Sequence, residues 1–235
     1  MTSSNRLAAE TGHQVLEATE GTKLEKGIVY VAPSDVHFTV SPSGSARLEQ
    51  GFLITHPKAE RRGDLRLVGG TAFQLIDLPP EAVWQGVIQD PSRYQFILPC
   101  ARESRETARE SEADRTVFIR HAYGPASAEY HVRMHFDPAT HTVMFRMADD
   151  LPHSIVAGWG FFRLHAWEGG RTLVSWGVLV DPGHGLLIET FLPRVRVLLL
   201  RVPLKLRRYL GFSDPVEDLP PLVLPPGTTA TATLP

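Results

Sequence analysis

Between residues 128 and 180 the chain repeats one pattern: short runs in which apolar and polar residues alternate. In AEYHVRMHF (128–136), Tyr130, Val132, Met134 and Phe136 share one face, and Glu129, His131, Arg133 and His135 share the other. TVMFRM (142–147) groups Val143, Phe145 and Met147. GFFRLHAW (160–167) sets Phe162, Leu164 and Ala166 opposite Arg163 and His165, and RTLVSWGVLV (171–180) gathers Val174, Trp176 and Val178. A period of two with one apolar face predicts antiparallel strands, packed on one side and wet on the other. The connections DPATH (137–141) and EGG (168–170) are of hairpin length. Such a sheet must cover its apolar face with something else in the chain.

The cover is FLPRVRVLLLRVPLKLRRYLG (191–211), the one long helical pattern. Val195, Leu198, Leu199, Val202, Leu206, Tyr209 and Leu210 recur at helical spacing, and Gly211 is a suitable stop. Pro203 interrupts the pattern; inside a helix it costs about 3 kcal/mol and kinks the axis. Upstream, LPPEAVWQGVIQDPSRYQFILP (78–99) reads as two short helices. Asp90 caps the second and Pro91 takes its first position, while Pro79-Pro80-Glu81 opens the first less sharply. Helices of two or three turns are marginal alone, so this pair must lean on the sheet and support the far end of the long helix. ARESRETARESEADR (101–115) reads as a charged edge strand and hairpin turn.

Residues 1–22 read as a flexible N-terminus and 23–70 as a strand-rich extension. GIVYVA (27–32) and DVHFTV (35–40) are β-rich, and SARLEQGFLIT (45–55) is expected to be a third strand. Residues 71–211 form the main domain. Residues 212–235 hold six prolines and TTATAT, the composition of a disordered tail.

A length of 235 residues is enough for a real core, and 43% apolar content with a formal charge of -2 describes a soluble globular protein. A nucleic-acid-binding domain would be strongly basic, so no nucleic-acid partner is expected. Cys100 is the single cysteine, so no intrachain disulfide forms. The N-terminus has no apolar signal core and no run approaches a spanning helix, which makes the cytoplasm the expected location.

The order of elements, with the phrases LPPEAVWQGVIQDPSRYQFILP, GWGFFRLHAWEGGRTLVSWGVLVD and the closing helix, resembles the START-like helix-grip superfamily over residues 71–211. That superfamily includes polyketide cyclases, coenzyme Q-binding START proteins and the birch pollen allergen group. The resemblance implies an α+β helix-grip fold: a curved antiparallel sheet wrapped around one long C-terminal helix, with two short helices closing one end. It also implies a hydrophobic ligand held between helix and sheet. A shorter stretch, residues 18–51, is similar to a hairpin region of chemotaxis receptor methylesterases. The nucleophile motif of that family, a serine among small residues and glycines, does not occur there, so the stretch implies a local hairpin and no esterase activity.

Tyr130, Met134, Phe136, Phe145, Met147, Phe162 and Trp176 concentrate on the expected concave face. Ligand sites are concave and mostly apolar, with a few polar groups. The expected ligand-binding residues are Trp84, Tyr94, His121, Tyr123, Tyr130, Met134, Phe145, Phe162, Trp176 and Leu199, with His121, Tyr123 and Tyr130 as the polar members. Ten histidines raise the question of metal. His131 and His135 lie about 13 Å apart on a strand, at about 3.3 Å per residue, too far for one ion. No metal, cofactor or catalytic residue is expected; Cys100 reads as a structural thiol. The long helix carries Arg194, Arg196, Arg201, Lys205, Arg207 and Arg208 and no acidic residue. Arg201, Lys205 and Arg208 are therefore candidates for peripheral contact with anionic lipid, beside the plainer reading of a solvated face. The functional expectation is a carrier of a hydrophobic small molecule (lipid, quinone or polyketide-like) without chemistry. An aromatase/cyclase-type enzyme and a closed-cavity interaction module stand as alternatives.

Overall fold

The structure, a computed structural model, describes residues 14–17, 28–31, 42–123, 126–183 and 186–214. The chain forms two compact units, residues 1–42 and 43–235. In the first, β1 (Gln14–Glu17) pairs in parallel with β2 (Ile28–Val31). The strand expected at 27–32 is therefore present, but its partner lies within the segment expected to be flexible. The pairing is parallel; the hairpin implied by resemblance over residues 18–51 falls largely outside the described residues. DVHFTV and residues 215–235 fall outside the described residues.

The second unit begins within α1 (Pro42–Glu49), where a strand was expected from Ser45. Ala46, Arg47, Leu48 and Glu49 are strong helix formers, and Pro42 sits at the permitted first position. Gly51 ends the helix at φ +83°. Its N–H donates to the Leu48 carbonyl (2.8 Å), and that of Phe52 donates to the Arg47 carbonyl (2.9 Å). Only Leu48 of its described side chains is buried, which is why no helical stripe showed in the sequence.

Eight antiparallel strands follow: β3 (Ile54–Arg62), β4 (Leu65–Ile76), β5 (Ala101–Arg109), β6 (Asp114–Tyr123), β7 (Ala126–Asp137), β8 (Thr142–Met147), β9 (Ala157–Trp167) and β10 (Arg171–Asp181). Their order across the sheet is β3-β4-β10-β9-β8-β7-β6-β5. The boundary expected at residue 71 falls inside β4. The hairpin β3-β4 belongs to the sheet, and residues 54–70 are not part of a separate extension. Both edges are charged: Lys58, Glu60, Arg61 and Arg62 on β3, which also holds Pro57, and Glu103, Arg105, Glu106 and Arg109 on β5. Arg105–Glu103 (2.9 Å) and Arg109–Glu106 (2.7 Å) pair along the β5 edge.

The alternation read from sequence places Val132, Met134, Phe136, Val143, Phe162, Leu164, Val174, Trp176 and Val178 in one core on the concave face. The short helices close one end of it. Pro80–Val83 forms α2, which continues as a π-helical turn over Trp84–Ile88. A 3₁₀ turn (Pro91–Arg93) leads into α3 (Tyr94–Ile97). Asp90 caps as expected, its carboxylate accepting from the Ser92 N–H at 3.0 Å. Val83, Trp84, Val87, Ile88 and Ile97 are buried, and full burial of such a side chain contributes about 1.5–3 kcal/mol. Side-chain hydrogen bonds tie this plug to the strands and their loops. Arg115 donates to the Gln89 carbonyl (2.8 Å) with its guanidinium over Phe136, and His141 meets the Glu81 carboxylate (2.8 Å).

The expected long helix is two: α4 (Leu186–Leu199) and α5 (Val202–Tyr209). Pro203 explains the break. In a continuous helix the N–H of residue 203 would donate to the Leu199 carbonyl, and proline has none. The chain restarts with Pro203 in the first turn of α5, where a missing N–H costs nothing. The orphaned Leu199 carbonyl accepts instead from the Trp176 indole N–H at 2.8 Å. Gly211 (φ +92°) stops α5 as the sequence suggested.

Candidate ligand-binding cavity

A cavity of about 230 Å³ lies between the concave face and α4. Strands β6 to β10 supply its floor, the end of α3 and Leu98-Pro99-Cys100 one wall, and Val195, Leu198 and Leu199 of α4 the roof, with Val202 beside them. Among the described residues that line it, none carries a carboxylate, ammonium or guanidinium. The floor is shaped by aromatic contacts. Phe145 stacks on Trp176 with centroids 5.2 Å apart and planes 22° apart, while Phe162 meets Trp176 edge-on at 5.8 Å. Gly160 makes that stack possible: a Cβ there would sit 2.5 Å from Phe145 Cζ and 2.1 Å from the Gly177 carbonyl oxygen.

Polar groups are few and paired. His121 on β6 and Tyr130 on β7 are diagonal neighbours across the paired strands, His121 Nε2 lying 2.8 Å from Tyr130 Oη and Nδ1 2.8 Å from the Pro99 carbonyl. Burial pushes the His121 imidazole below its ordinary pKa; the Pro99 hydrogen bond opposes this and the Lys205 ammonium adds to it. Burial also raises the Tyr130 and Tyr94 hydroxyls far above the usual phenol range. Tyr94 Oη donates to the Ile88 carbonyl at 2.6 Å, holding the plug closed. The pair at His121 is thus neutral near pH 7, suited to hydrogen bonding rather than to carrying charge.

Tyr94, His121, Tyr130, Met134, Phe145, Phe162, Trp176 and Leu199 all line this space. Trp84 does not. It is buried in the plug, edge-on to Phe136 (6.3 Å) and His141 (5.6 Å), so its place is core. The side chain of Tyr123 lies outside the described residues. Sequence reasoning missed Cys100, Ile119, Gly158, Val195, Leu198 and Val202. Ile119 could have been found from the β6 alternation, and Val195, Leu198 and Val202 from the helix stripe. Cys100 reaches the cavity from a non-helical position at φ +57°, which no periodicity reveals.

The outer-face histidines are engaged singly. His135 meets Asp114 (2.8 Å) and His131 meets the Pro152 carbonyl (3.1 Å); among the described residues no cluster suits a metal ion. The basic residues expected to face lipid differ in their surroundings. Arg208 is paired with Asp214, while Arg201 is exposed and Lys205 partly buried. Arg207 is turned inward onto the Leu75 carbonyl (3.1 Å) and Asp77 (3.4 Å). Among the described residues, no helix is long and apolar enough to cross a membrane.

Comparison with known proteins gives matches in sequence and in structure. The family model described as CheB methylesterase matches residues 2–65 only, a portion that reaches through β3 and includes none of the residues lining the cavity. No curated protein matches the chain in sequence. Among solved structures, the protein TTHA0849 from Thermus thermophilus is similar at 16% identity and a TM-score of 0.51, over 60% of this chain and 92% of that one. The Zhui aromatase/cyclase from a Streptomyces species aligns at 17% identity and a TM-score of 0.48, over 66% of this chain and 96% of its own. A STAR-related lipid transfer protein from Xanthomonas axonopodis aligns at 11% and 0.48, over 66% and 98%. The chain has a helix-grip fold, an antiparallel sheet of eight strands closed by helices.

Proposed function

We propose that the protein binds and carries a hydrophobic small molecule in this cavity without transforming it. The observation that carries the reading is the lining: apolar and aromatic apart from the His121–Tyr130 pair, with no ionic side chain among the described residues, around about 230 Å³ of space. A cyclase would need groups that move protons near neutral pH. His121 and Tyr130 are the natural pair, yet burial holds the imidazole unprotonated and the phenol protonated, and each is satisfied by its neighbour. The arrangement favours holding a ligand over reacting with it. Native mass spectrometry of the purified protein, followed by solvent extraction, should yield a co-purifying apolar molecule. Ala128→Phe, on the same face of β7 as Tyr130 and lining the cavity, should fill the space and abolish that mass with the fold intact. Retention of the same molecule by the variant would place it elsewhere and overturn the reading.

A further inference from the structure

The hydrogen-bond directions at the polar end of the cavity follow from one fixed point. A backbone carbonyl only accepts, so the 2.8 Å contact with the Pro99 oxygen puts a proton on His121 Nδ1. In the neutral ring Nε2 then has only a lone pair, and the Tyr130 hydroxyl 2.8 Å away must donate to it. Tyr130 has one proton, and that proton is spent on His121. What Tyr130 Oη offers a bound molecule is therefore lone pairs. Two further donors of the wall point elsewhere, the Tyr94 hydroxyl to the Ile88 carbonyl and the Trp176 indole to the Leu199 carbonyl.

We infer that the cavity prefers hydrophobic molecules bearing a hydroxyl donor, alcohols or phenols, over the same skeleton bearing a carbonyl, with Tyr130 Oη accepting the ligand's hydrogen bond. The inference rests on the binding function proposed above. A carbonyl placed there sets acceptor against acceptor and loses its water without a replacement. A hydroxyl extends the chain from ligand to Tyr130, His121 and the Pro99 carbonyl, each member donating to the next. The desolvation that keeps His121 unprotonated keeps this direction fixed.

The test compares 1-decanol, 2-decanone and decane on the full chain, by calorimetry and by tryptophan emission, since Trp176 lines the cavity. The parent should bind 1-decanol about three- to ten-fold tighter than 2-decanone, the worth of one neutral hydrogen bond. Tyr130→Phe should erase that preference, bringing the affinities for 1-decanol and 2-decanone together. His121→Leu removes the acceptor, releases the Tyr130 proton toward the cavity and should swing the preference to 2-decanone. Equal affinity of the parent for alcohol and ketone, or a preference surviving Tyr130→Phe, overturns the inference and leaves the carrier function standing. Binding of none of the three overturns both.

Discussion

At the residue scale, glycine and histidine make the sharpest demands. Gly160 and Gly158 both face the core from β9, but their surroundings differ. A Cβ at 160 collides with backbone and the Phe145 ring, whereas at 158 its nearest neighbour is 3.6 Å away. Gly160→Ala should cost about 1–3 kcal/mol, the usual penalty of overpacking, and Gly158→Ala should be nearly neutral; urea denaturation of the two variants checks this. His121 makes a pH prediction with a definite sign. Its folded pKa lies below the ordinary value of 6.5, so below that pH the unfolded chain binds a proton the native state refuses. Stability from this residue is complete above about pH 6.5 and is lost as pH falls toward the depressed folded value. His121→Gln should flatten that part of the profile, seen as a smaller drop in urea midpoint between pH 7.5 and 5.5. An unchanged drop would assign the loss to other groups, such as His165, which burial also depresses.

At the element scale, the divided grip is the main departure from the sequence reading. The helical stripe of Val195 to Leu210 was legible because the spacing of large apolar residues survives the break. What the pattern could not show is that Pro203 transfers the Leu199 carbonyl to an indole 23 positions earlier on a strand. The two helices are unequally held. Val202 and Leu206 of α5 are buried, while Val195, Leu198 and Leu199 of α4 are only partly so and Val197 is 49% exposed. Amide exchange should therefore be faster across residues 194–199 than across 204–209, and a bound ligand should slow the first group selectively. Trp176→Phe should speed exchange in α4 further, because it strips the last-turn carbonyl of its donor. The helix α1 escaped notice for the opposite reason. It buries Leu48 and otherwise works through polar contacts, its Glu49 meeting Arg171 (2.6 Å) and the Trp167 indole (2.7 Å), and these leave no hydrophobic period. Trp84 was assigned to the cavity because an aromatic on a short helix near the site reads identically whether it plugs or lines.

At the scale of the whole molecule, the order of the central strands was written plainly, since alternation in β7 to β10 names both the faces and the hairpins between them. The N-terminal limit was not. β3 and β4 belong to the sheet, yet Lys58 to Arg62 is too charged and Gly69-Gly70 too small to continue the alternating signal. The division of the chain at residue 42 makes a testable boundary. Residues 43–235 should keep the melting temperature of the full chain within a few degrees. Removal through residue 53 should lower it by several more, since it deletes the buried Leu48, the Glu49 contacts and the Gly51 carbonyl that accepts from Gln74 (2.6 Å). Differential scanning fluorimetry of both fragments decides it.

The two charged edges bear on a different problem, the fate of the molecule when its cavity is empty. An open sheet ends in rows of unpaired backbone donors and acceptors, which are templates for another chain. Here β5 meets an incoming strand with Glu103, Arg105, Glu106 and Arg109, and β3 with Pro57 and four charges. A strand of a second copy would have to strip water from those groups before forming its first hydrogen bond. The expected barrier to polymerisation therefore sits at the rim, independent of what the cavity holds. An Arg105→Val, Glu106→Val, Arg109→Val protein should fold with an unchanged cavity, yet accumulate thioflavin-positive aggregate on shaking at concentrations where the parent stays clear.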